Sequence, residues 1–133
     1  MKTICCRLHR GDDLLLSLQH LAREHDLRAA VVLSGVGCVL RARVRDAGGV
    51  DIRDIDEPCE IVSLTGTVSA ARCHVHIALS REDLTTLGGH LVEGCIINTT
   101  CELVLLELPE WHYGVEQDDE TGYDEIVFER RDL

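Results

Sequence analysis

The chain has no run approaching the roughly 18 apolar residues needed to cross a bilayer. Its first ten residues lack the continuous apolar stretch and the small-residue cleavage site of an export signal. The expectation is a cytoplasmic setting with no membrane partner. There is no CxxC pair among the seven cysteines, Cys5, Cys6, Cys38, Cys59, Cys73, Cys95 and Cys101. An odd set without paired spacing, in a reducing compartment, reads as small core thiols and not as a disulfide framework. Positive charge is scarce, with 13 Lys and Arg against 24 Asp and Glu and a net charge of -11. Duplex DNA is bound largely by neutralising phosphates, so this balance disfavours DNA unless a basic face is segregated. Nucleotide and nucleophile motifs are missing as well. Gly35-x-Gly37 lacks the GxGxxG spacing and leads into a strand where a helix is required, and there is no GxSxG elbow, P-loop or Cys/His nucleophile pair.

What is present is enough for one domain over residues 1–133, since 45% of the residues are hydrophobic and the length is ordinary for a single core. The acid is unevenly spread. Between Glu110 and Leu133 nine carboxylates face only Arg130 and Arg131, a net of -7 that leaves -4 for the first 109 residues. This acidic segment, 110–133, is taken as part of the domain.

Periodicity gives an α/β chain of the α+β type. Lys2 to His9 alternates as a first strand. Asp12 or Asp13 caps a helix whose apolar residues Leu14, Leu15, Leu18, Leu21 and Ala22 recur at three- and four-residue spacing, and which ends near Asp26. Ala29 to Leu33 is wholly apolar, as in a strand buried on both faces. Gly35 and Gly37 mark a bulge or bend before a second strand, Val39 to Arg45, and Gly48-Gly49 turns the chain. Cys59–Ser69, Arg72–Ser80, His90–Asn98, Thr100–Leu108 and Glu125–Glu129 are further strand-like segments. Their connections are short and hold no second helix, so a largely antiparallel, mixed sheet flanked by one main helix fits better than a doubly wound one.

Cys73-His74-Val75-His76 is the sharpest local signal. Histidines at i and i+2 of a strand project from one face with Cα atoms about 6.5 to 7 Å apart, close enough for both rings to reach one metal ion. His90, after Gly88-Gly89 at the start of the next strand, is the candidate third ligand. Three neutral imidazoles plus water make an open tetrahedral zinc site. The competing reading is a polar strand face with no metal. Cys73 points to the opposite face and is not favoured as a ligand, and His9, His20, His25 and His112 are surface residues. Glu102, in an apolar strand, is a candidate proton-transfer group or an ion-pair partner for an arginine. Arg41, Arg43 and Arg45 share one strand face, which is either a phosphate-contacting stripe or the wet side of a sheet.

Taken in order, these motifs resemble the plant and prokaryote conserved (PPC) domain family. The matching segments are Arg7-Leu8-x-x-Gly11-Asp12-Asp13-Leu14, Leu33-Ser34-Gly35-Val36-Gly37, Glu60 to Gly66, His74-x-His76, Gly88-Gly89-His90-Leu91 with Gly94, Glu102, and Asp119-x-Thr121-Gly122-Tyr123. The resemblance implies a homotrimer of a compact, largely antiparallel fold, with His74, His76 and His90 as zinc ligands. Plant members join this domain to AT-hooks, and prokaryotic members often carry a DNA-binding label by that similarity. No Arg-Gly-Arg hook stands in this sequence. The leading expectation is therefore a zinc-binding, homotrimeric regulatory or assembly module, acting in transcription through protein partners. Direct DNA binding through Arg41, Arg43 and Arg45 is one alternative. A metal-dependent hydrolase or lyase, with Glu102 as a base, is another.

Overall fold

The longest element decides the architecture. In the computed structural model, which describes residues 2–132, the chain runs β1 (Thr3–His9), α1 (Leu14–Glu24), β2 (Ala30–Arg45), β3 (Ile52–Ile55), β4 (Cys59–Val68), β5 (Cys73–Ser80), β6 (Thr86–Leu91), β7 (Ile96–Glu107), β8 (Trp111–Gln117) and β9 (Asp124–Arg130). Over its first part β2 lies between β7 and β4; over its last four residues it pairs with β3, and Val44 and Arg45 also meet β6. The meander β4–β5–β6 curls until β6 reaches β2 again, with Val44 opposite Leu91 and Arg45 opposite His90. This closes β2, β4, β5 and β6 on themselves, while β1 and β3 each pair on one side only. β1 completes the sheet against β7, and every pairing among the described residues is antiparallel.

Sixteen residues cannot follow that curvature without irregularities. β2 has register shifts at Val32/Ser34, Gly37/Cys38 and Val39/Arg41 against β7, each adding local twist and bend. The expected pair of strands is thus one bulged strand. Ala29 and Ala30 are buried as expected, but Leu33 is 58% exposed, so the run is not covered on both faces. Gly37 is required here, because a Cβ on it would sit 2.2 Å from the Thr100 carbonyl oxygen of β7. β7 is likewise continuous through Asn98–Thr100, where Thr99 takes a φ of +52°. The expected strand at His90–Asn98 is divided, since β6 ends at Leu91 and β7 starts at Ile96. β3 and β8 had no expectation in the sequence.

α1 starts at Asp13, whose Oδ1 accepts from the Leu16 N–H at 3.0 Å, one of the orphan donors of a first turn. Its Oδ2 accepts from the Gly94 N–H at 2.8 Å, tying the helix start to the β6–β7 connection. Leu14, Leu18, Leu21 and Ala22 are buried and face the sheet. They meet a core that includes Val39, Leu79, Leu91, Ile97, Leu103 and Leu105. Each such side chain contributes about 1.5–3 kcal/mol on burial. Cys59, Cys95 and Cys101 are buried in this core and Cys6 and Cys73 pack against it, as expected of core thiols, whereas Cys5 is exposed.

The acidic segment forms a separate ribbon of β8 and β9. A lone two-stranded ribbon is marginally stable, and this one is pinned through Tyr113. The Tyr113 N–H donates to the Arg28 carbonyl at 3.1 Å, its hydroxyl donates to the Ala30 carbonyl at 3.2 Å, and its ring meets Phe128 edge-on at 5.5 Å. The far end of the ribbon is thereby carried over β5 and the β2–β3 turn, where Arg72 Nη2 donates to the Asp124 carbonyl at 3.2 Å and the Tyr123 hydroxyl donates to the Gly49 carbonyl at 3.5 Å.

Candidate metal centre

Along β5 the alternation is strict. Val75, Ile77 and Leu79 are buried in the core and Cys73 packs against it, so His74 and His76 project from the opposite face. Burial pushes the Cys73 thiol up from its ordinary value, and it keeps company with the core. His90 lies opposite His76 in the β5–β6 ladder, while its other neighbour, across β2, is Arg45. His90 therefore sits near the end of β6, not at the start of a strand as the sequence suggested. The three rings converge: centroids are 5.0 Å apart for His74 and His76, 5.2 Å for His74 and His90, and 5.6 Å for His76 and His90. One nitrogen from each ring falls within 4.8 Å of the others.

Two glycines make that convergence sterically feasible. A Cβ on Gly88 would lie 2.0 Å from the Ile77 carbonyl oxygen of β5, and one on Gly89 would lie 2.6 Å from the Arg45 carbonyl oxygen of β2. Only a glycine pair lets β6 be clamped between both neighbours at this point. The sequence reading attached these glycines to His90 for a related reason, close backbone passage.

The electrostatics favour neutral rings. Burial, then the guanidinium of Arg45, lower the His90 pKa to about 4. Burial, then Arg72, lower that of His74. Near pH 7 both are uncharged, the form that ligates metal. The Nδ1 of His90 is buried without a hydrogen-bond partner among the described residues. Such an orphan costs about 1–3 kcal/mol, and this polar atom lacks the partner that a buried imidazole nitrogen ordinarily has. The donor set thus fits a divalent metal of the zinc class, which accepts imidazole nitrogens in a tetrahedral arrangement.

Cavities flank the cluster on two sides. One of about 500 Å³ is lined by Arg45, Asp46, Gly49, His76, His90 and Tyr123, among others. The other, about 350 Å³, includes Arg45, Arg72, His74, His90, Tyr123 and Glu125. Arg72 and Tyr123 were missed as site residues by sequence reasoning. Tyr123 is brought in by the reach of the ribbon, which is not a local signal, whereas Arg72 stands only two residues before His74, just ahead of β5.

The remaining candidates fall elsewhere. Glu102 is exposed on β7, with Arg7 and Val36 as its ladder neighbours. The apolar setting expected for it is absent because Cys101 and Leu103 take the inward positions. Arg41, Arg43 and Arg45 do share a face, but Arg43 Nε donates to Asp54 at 2.8 Å and Arg45 belongs to the histidine site. His20 pairs with Glu24 at 3.7 Å and His112 with Glu129 at 2.9 Å, as surface residues do.

Residues 1–109 match the Plants and Prokaryotes Conserved (PCC) domain, the family also abbreviated PPC. The chain belongs to the PCC domain family. Among solved structures, this PCC chain is similar to a hypothetical protein from Salmonella enterica, with a TM-score of 0.94, 31% identity, and coverage of 98% of this chain and 94% of that one. It is also similar to a metal-containing protein from Archaeoglobus fulgidus, with a TM-score of 0.80, 27% identity, and coverage of 96% and 94%. Among curated proteins it is 37% identical over 126 residues, 95% of its length, to the bifunctional protein GlmU of Synechococcus sp. strain JA-2-3B'a(2-13). The PCC chain spans about a fifth of the length of the curated relatives it matches.

Proposed function

We propose that this PCC domain is a zinc-binding, homotrimeric module that serves regulation or assembly through protein partners. The observation that carries the metal half is the convergence of His74, His76 and His90, one nitrogen of each within 4.8 Å of the others. Zinc bound there would act as a Lewis acid with a coordination position left over by three protein ligands. The chain's own residues do the rest. β5 and β6 fix the three rings, Gly88 and Gly89 allow the clamp, and burial beside Arg45 and Arg72 keeps His90 and His74 neutral. The metal-containing relative from Archaeoglobus supports the same reading.

Self-association is supported by exposed apolar side chains on β2 and β4. Leu33, Val36 and Val62 are each more than half exposed, and Gly37 pairs with Ile61, so Val36 and Val62 are near neighbours. Apolar surface of this kind is a common mark of an interface. The module reading is supported by the family's appearance within a longer bifunctional protein. Elemental analysis of untagged protein is the test of the metal half: near-stoichiometric zinc is expected, and loss of it in a His74→Ala, His76→Ala double variant. No metal in the parent after zinc incubation would refute it. Light scattering on a size-exclusion column checks the trimer, and a monomer at micromolar concentration would refute that half.

A further inference from the structure

The histidine site has a charge problem that the three rings do not solve. Neutral imidazoles bring no negative charge to a divalent ion, and Arg45 and Arg72 place two guanidinium groups at the same site. The Nε of Arg45 and Nη1 of Arg72 are buried without hydrogen-bond partners among the described residues, as is Nδ1 of His90. Neither arginine takes part in the ion pairs found among the described residues. Of the nearby acids, Asp46 is taken up by Arg53, whereas the Glu125 carboxylate acts on His74 against the two arginines and is the one acid lining the smaller cavity that does so. Asp46 accepts from Arg53 at 2.9 Å and from the Gly48 N–H, and Glu125 accepts from the Thr121 hydroxyl at 3.1 Å. Asp124 meets Arg72 only through its backbone carbonyl. A buried guanidinium donor left unmade is expensive. An anion bound beside the ion would satisfy these donors and offset the repulsion between the ion and the arginines.

We infer that the centre binds a small ligand bearing an oxyanion, a carboxylate or phosphate group, between the metal's open position and the guanidinium groups of Arg45 and Arg72. This rests on the metal reading above. The planar guanidinium fork matches both anions. The two flanking cavities, about 500 and 350 Å³, give space for a small molecule beyond the anionic group. Tyr123 lines both of them and is half exposed, so the ribbon's end forms part of the entrance.

The test uses the whole chain loaded with one equivalent of Co(II), whose visible absorption reports its coordination, in a non-coordinating buffer near pH 7. Acetate and inorganic phosphate are titrated separately, which distinguishes the two anion classes. A saturable spectral change with at least one of them is expected. With cobalt occupancy measured on each variant and the titration run on the loaded protein, Arg45→Gln and Arg72→Gln should each weaken that anion by roughly ten- to a hundredfold, the cost of losing a charge-assisted hydrogen bond. If Arg45→Gln fails to fold, Arg72→Gln carries the test alone. Full cobalt with no response to either anion would overturn the inference and leave the metal site standing. Unchanged anion affinity in folded variants would overturn it too. A parent that takes up no cobalt would end both readings at once.

Discussion

The two ends of β2 share a strand and almost nothing else. Its first part, from Ala30 to Val39, is apolar and glycine-bearing and lies between β4 and β7, with Ala30 and Val39 buried and Leu33 and Val36 left on the outer face. Its last part, Arg41 to Arg45, carries three arginines on one face while Ala42 and Val44 stay buried on the other. One end is a scaffold and the other presents side chains. Substitutions should therefore read out differently along a single strand. Gly37→Ala forces a Cβ onto a neighbouring backbone oxygen and should cost about 3 kcal/mol or more, the upper end of overpacking penalties. That corresponds to a fall of roughly 10 °C or more in Tm. Arg41→Ala, exposed at the other end, should stay within about 0.5 kcal/mol. Equal losses in thermal melts of the two variants would break the contrast.

The next largest effect is expected at the presenting end, and on ligand-linked stability rather than on the fold itself. Zinc held by the folded state alone adds stability by mass action, about 2.7 kcal/mol at a hundredfold excess over the dissociation constant. His74→Ala, His76→Ala should abolish that gain while leaving the metal-free melting temperature close to the parent's. A variant that melts far lower without metal would place these histidines in the scaffold class instead. A smaller effect follows from pH. With a folded pKa of about 4 and an ordinary value of 6.5 for His90, the unfolded chain binds the proton more readily between those limits. Stability of the metal-free protein is thus fully present above about pH 6.5 and falls as the pH drops toward 4. His74, also lowered, acts in the same direction. Urea melts of the parent and His90→Gln over this range should diverge, with the variant's slope shallower; parallel slopes would contradict the assignment.

The same contrast explains what was legible in the sequence. Signals carried within one element came through: the cap at Asp12 or Asp13, which falls on Asp13, the helix stripe from Leu14 to Ala22, and the His74-x-His76 alternation on β5. The pairing of His90 with that couple was readable from the Gly88-Gly89 pair, although its place at the end of β6 was not. What stayed hidden depends on closure. Nothing near Arg45 announces that β6 will return to lie beside it, so its place in the histidine site emerges only from register. Arg72 stands two residues before His74, yet its contact with the ribbon spans 52 positions. The apolar setting expected for Glu102 is absent for a simpler reason. Its apolar neighbours in sequence, Cys101 and Leu103, occupy the inner face and leave it the outer one. β3, only four residues and mostly exposed, has too little apolar pattern to announce itself.

The smallest effect is expected for duplex DNA. A binding face built on the presenting end of β2 would need its three arginines together. Arg43 is engaged by Asp54 at 2.8 Å, and Arg45 faces His90 and the cavities. Arg41 is left as the exposed member of the stripe without such a role, on a chain of net charge -11. Electrostatic binding scales with the number of phosphates neutralised, and one or two contacts per chain give a shallow salt slope and low affinity. Fluorescence anisotropy with a labelled duplex at about 50 mM salt, where such binding is strong, should show little association. Reversing Arg41 and Arg43 to Glu should change it little further. Tight binding with a steep salt dependence, abolished by that double reversal, would instead make the end of β2 a nucleic-acid face. The histidine cluster would then stand at the edge of that interface.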